Sequence, residues 1–110
     1  MLAAACTAQY KLHPGALNTT DSAAYDTLLI AEAAIDQART ENQTRPFPAE
    51  ARDALNTLIQ SYNIAREAWL TYRGAVAANV PSGPYFQQLN RNLLDLVNAI
   101  EALKRREVIP

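Results

Sequence analysis

Cysteine and histidine each occur once in the 110 residues, glycine occurs three times, and aromatic residues make up 7%. One thiol makes no internal disulfide, and one Cys with one His is too few ligands for a structural zinc site. So little glycine argues against Gly-rich all-β and collagen-like architectures. Neither sign of charge dominates. Ten Lys and Arg stand against 11 Asp and Glu, leaving −1, so there is no general electrostatic pull toward nucleic acid. No apolar run approaches the ~18 residues that a membrane-crossing helix needs. What the chain has instead is alanine and leucine in nearly every block of ten. Both are strong helix formers, and the length suits one domain with one core.

Proline divides the chain. Pro14 lies in an irregular leader, Pro46 and Pro48 form a second break, Pro81 and Pro84 flank Gly83 at a third, and Pro110 ends the chain. Proline removes a helix N–H and clashes with the preceding turn, so the proline-free runs between these clusters predict helices over 21–42, 48–78 and 84–106. In the first, Ala24, Leu28, Ala31, Ile35 and Ala38 step by four and three, with Tyr25 and Leu29 widening one side. Several residues from Asn18 to Ser22 are able to cap it. In the second, Ala51, Leu55, Leu58, Tyr62, Ala65, Trp69, Tyr72 and Val76 keep the same alternation, a coiled-coil-like seam. Beside it runs a small-residue column, Ala54, Ser61, Ala68 and Ala75, so this helix is expected to meet two partners. Pro48 suits its first helical position, and Gly74 marks where it bends or overhangs. In the third, Phe86, Leu89, Leu93, Leu96, Ile100 and Leu103 form the seam, flanked by Leu94 and Val97. Lys104, Arg105 and Arg106 sit at its negative end, where cations are favoured.

Short connections make successive helices antiparallel neighbours. The expected fold is therefore all-α: an up-down-up antiparallel three-helix bundle over 21–107, preceded by an irregular N-terminal leader over 1–20.

The leader begins Met1-Leu2-Ala3-Ala4-Ala5-Cys6. The run from Leu2 to Cys6 resembles the lipobox, the cleavage end of a bacterial lipoprotein signal peptide, here with the signal peptide truncated. Ala5 and Cys6 match its small residue and cysteine, while Ala3 stands where the apolar residue is usual and Leu2 lies one place further out. The resemblance implies that Cys6 is acylated and becomes the mature N-terminus, with a bacterial envelope location on the periplasmic side. More than one lipid chain is what stable anchoring requires. Thr7 to Thr20 would then serve as a flexible tether with a reach of about 46 Å when extended.

Other chemistry-bearing residues form no convincing set. His13 precedes Pro14 away from any helix face and reads as an exposed loop histidine. Cys6 and His13 on irregular backbone lack an orienting acid, so no nucleophilic site is assigned. Glu32 and Asp36 share a helix face, but a carboxylate-bridged metal centre would need Glu-x-x-His motifs that the chain lacks. They read as a solvated face, and no metal or cofactor is expected. The sequons at Asn18 and Asn42 matter only in a eukaryotic secretory setting. Tyr62, Trp69 and Tyr72 form an aromatic stripe that reads either as core or as a partner or ligand face.

The functional expectation is a non-enzymatic, membrane-tethered helical bundle of a bacterial envelope, held by lipid on Cys6. It would act by contact with a protein partner or structurally, without nucleic acid. One alternative is a cytoplasmic interaction module that homo-oligomerises. Another is small-ligand binding between the helices near Trp69.

Overall fold

The computed structural model describes residues 12–106 and residue 109. Three helices follow one another: α1 (Thr19–Thr44), α2 (Ala49–Ala77) and α3 (Gly83–Arg105). Among the described residues there is no strand. The helices pack as an antiparallel three-helix bundle of 46 × 35 × 20 Å. The interface between α2 and α3 is the most extensive, and that between α1 and α3 the least.

The ends differ from expectation by one or two residues, each for a local reason. α1 starts at Thr19 because Asn18 is the N-cap, its side chain accepting the Asp21 N–H at 2.8 Å. At its far end the Thr40 and Thr44 hydroxyls donate to carbonyls one turn back, and Pro46 stops the helix. Pro48 is the N-cap of α2, not its first helical residue: its ψ of 163° is still extended. α2 runs through Gly74 without interruption and closes with Asn79 at φ 57°. Val80 N–H donates to Ala75 O and Asn79 N–H to Val76 O, the paired bonds of a Schellman motif, with asparagine tolerating the left-handed conformation. In α3, Gly83 precedes Pro84, and Phe86 N–H donates to Ser82 O.

The seams pack inward. All five α1 seam residues are buried, as are Ala51, Leu55, Leu58, Ala65 and Tyr72 of α2 and Leu89, Leu96, Ile100 and Leu103 of α3. Two flanking pairs and one seam residue are corrected. Tyr25 and Leu29 are exposed, and Ala34 on the opposite flank is buried instead. Leu94 and Val97 are exposed, while Asn92 and Ala99 take the buried flank of α3. Phe86 is also exposed, although its ring lies 6.3 Å from that of Tyr72. For both flanking pairs the seam marked the centre of the buried stripe, and the neighbouring helix chose its side.

The core has two parts. A larger aliphatic cluster joins Leu28, Ile35, Leu55, Leu58, Leu96, Ile100 and Leu103, and Ile109 returns to it. A smaller cluster joins Ala24, Tyr72 and Leu89, with Trp69 and Val76 against it. Antiparallel order explains the second group: it gathers the start of α1, the end of α2 and the start of α3.

Candidate functional site

The smaller cluster is roofed by polar groups, and Asp21 is at their centre. Asp21 is the third residue of α1 and only 2% exposed. Burying a carboxylate costs several kcal/mol (about 5) unless charged or hydrogen-bonded partners surround it. Here they do. Trp69 Nε1 donates to Oδ1 at 2.6 Å, Arg73 Nε lies 3.1 and 3.2 Å from the two oxygens, and Leu17 N–H donates to Oδ2 at 2.8 Å. Trp69 and Arg73 are one turn apart on α2, which places both on one face. The Arg73 guanidinium also lies 5.3 Å from the Trp69 ring, a cation–π contact. No buried side-chain nitrogen or oxygen among the described residues lacks a partner.

The described part of the leader belongs to this site. His13-Pro14-Gly15-Ala16 forms a β-turn in which Ala16 N–H donates to His13 O at 3.0 Å. Pro14 presets the second position, and Gly15 takes φ +84° at the third, where a side chain would be strained. The turn is fastened from both helices. His13 N–H donates to Ser22 Oγ, Arg73 Nη2 donates to Gly15 O, and the His13 ring meets the Asp26 carboxylate through Nε2. The His13 ring also stands edge-on to Tyr25 at 4.8 Å, and Tyr25 lies 5.9 Å from Trp69. His13 is therefore a contact between leader and helix, not a free loop histidine.

Beneath the turn lies a partly open cavity of about 260 Å³, walled by Tyr25, Trp69, Arg73, Asp21 and residues 13–16. Its walls combine aromatic ring faces with charged and polar groups. The Asp21 oxygens are already engaged by three donors, and among the described residues that line the space there is no Ser, Thr, Cys or Lys. Among the described residues no group of three or more His, Cys, Asp or Glu is placed to hold a metal ion.

The aromatic stripe read from the sequence is divided. Tyr72 is buried, and its hydroxyl accepts from Asn18 Nδ2 at 3.0 Å, so it serves the core and the α1 cap together. Trp69 is half-buried and walls the cavity. Tyr62, two turns away, belongs to another groove, where its hydroxyl donates to Glu32 Oε2 at 2.8 Å. Partial burial, then the bond to Glu32 and its charge, raise the Tyr62 pKa above its ordinary value, with Arg66 pulling the other way. Glu32 is thus not solely a solvated acid. Cys6, the lipobox-like run 2–6 and residues 7–11 lie outside the described residues.

Sequence reasoning placed Asp21 among the residues from Asn18 to Ser22 able to cap the first helix and did not bring Arg73 to it. Their partnership spans 52 residues, and no spacing rule announces it. The available hint was Arg73 one turn after Trp69, beside an apolar seam.

Among the described residues no helix is long and apolar enough to cross a membrane. In comparisons with known proteins, no family model, no curated protein and no solved structure matches the chain.

Proposed function

We propose that the protein is a non-enzymatic helical bundle tethered to a bacterial envelope through lipid on Cys6, acting by protein–protein contact or as a structural element. The observation that carries the reading is the junction of two features. A lipobox-like Leu2-Ala3-Ala4-Ala5-Cys6 stands at the head of the leader, and the leader's described end is bonded to both α1 and α2. A load applied at Cys6 would thus reach the bundle through side-chain bonds as well as through the backbone of α1. Intact mass measured on protein expressed in bacteria from the full gene tests the anchor. A chain beginning at acylated Cys6, which moves to the soluble fraction on Cys6→Ala, is the expected result. An uncleaved chain with an unmodified thiol overturns it and leaves the cytoplasmic, self-associating module, which native mass would then examine.

A second reading has its own support. The cavity against Trp69 and Tyr25 is near the lower size of small-molecule sites, about 300 Å³, and it combines ring faces with Arg73 and His13. Under this reading a small planar compound changes Trp69 emission. Emission unmoved across a broad metabolite and lipid panel removes it.

A further inference from the structure

Residues 13–17 are attached to the bundle in a different way from the described helices. Their apolar side chains contribute little, since Leu17 and the adjoining Leu12 are both exposed. Their hold is a set of directed bonds: His13 N–H to Ser22 Oγ, the His13 ring to Asp26, Gly15 O to Arg73, and Leu17 N–H to Asp21. The Pro14-Gly15 turn keeps its own internal bond, so it needs no contact with the helices to persist. On the other side of the junction, Asn18 caps α1 and is tied to Tyr72, and neither bond depends on residues 13–17. A rigid turn, a fixed hinge at Asn18 and a fastening made mainly of directed polar bonds, with the His13 ring edge-on to Tyr25, are the parts of a strap.

We propose that residues 13–17 form a strap that opens as a unit about Asn18 while the three helices stay packed, uncovering the notch between Tyr25 and Trp69. Opening requires no core residue to move. Each broken bond exchanges a protein partner for water. Three of the four fastenings involve a charged side chain, so salt favours the open state. One consequence rests on the envelope reading: the strap sets the stand-off from a lipid on Cys6. Closed, the segment Thr7 to Leu12 reaches at most about 20 Å; open, Thr7 to Leu17 reaches about 36 Å.

Amide hydrogen exchange on the full chain tests the strap without reference to lipid. The His13 and Leu17 amides report the strap, and those of Leu58 and Leu96 report the core. Strap amides are expected to exchange at least about 100-fold faster than the core, as local opening does. They should quicken a further tenfold or so in Arg73→Gln and in His13→Gln, with Leu58 and Leu96 unchanged. His13→Gln keeps the test alive should a variant of α2 fail to fold. Strap and core amides exchanging in step would overturn the proposal, as would an unchanged Leu17 rate in both variants. An unmodified Cys6 mass removes only the stand-off consequence; the exchange result stands by itself.

Discussion

The two ends of the bundle are built from different physics. At one, Leu55, Leu58, Leu96, Ile100 and Leu103 bury aliphatic side chains with Ile35 and Ala38. At the other, Tyr72 and Leu89 carry a roof of Asp21, Ser22, Trp69, Arg73 and His13 joined by hydrogen bonds. Aliphatic burial is non-directional: it supplies stability and specifies position only through shape. Hydrogen bonds to a buried carboxylate contribute less net energy, but they fix which atoms meet, and they fail when one partner is removed. The lesson is a division of labour. The aliphatic end holds the fold, and the polar end decides how the chain ahead of α1 is attached to it.

Breaking the aliphatic end should cost most. Leu96→Ala leaves a cavity in a fully buried site and is expected to lose about 2–5 kcal/mol in urea unfolding. Asp21→Ala comes next. It strands the Trp69 and Leu17 N–H groups and the Arg73 guanidinium, and should lose about 2 kcal/mol with a change in Trp69 emission. Equal losses from Leu96→Ala and Asp21→Ala would erase the distinction between the ends. Ala31→Leu sharpens it from the other direction. Ala31 is fully buried where α1 faces its neighbours, so overpacking there should cost about 1–3 kcal/mol with little effect on the strap.

The smallest effect concerns Tyr62, outside both ends. Its raised pKa means that the folded state favours the neutral phenol. That contribution is fully present below the unfolded tyrosine value and is lost as pH rises through the higher folded one. Melting temperature should therefore fall above about pH 10, and Tyr62→Phe should flatten part of that fall. An identical alkaline profile in the variant would show that the Glu32 bond contributes nothing.

The helices were legible because their information is local. Prolines mark the breaks, and the four-three spacing in all three seams names the centre of each buried stripe. What a seam lacks is a sense of side, which is why Leu94 and Leu29 were set beside the seams although Ala99 and Ala34, on the opposite flanks, are the buried ones. Only the third helix breaks that tie. The candidate site was less legible still. Trp69 and Tyr72 were in view as aromatics, but their polar atoms find Asp21 and Asn18 some 50 residues earlier in the chain. Nothing in a proline-glycine leader announces that Arg73 will receive its carbonyl.

Four of the six buried apolar residues of α1 are alanines: Ala24, Ala31, Ala34 and Ala38. Alanine has no rotamer entropy to lose, so this helix is ordered at low cost, yet it gives its neighbours few atoms to grip. With the broadest interface lying between α2 and α3, force drawn through the N-terminus would peel α1 from a surviving hairpin before the hairpin itself yields.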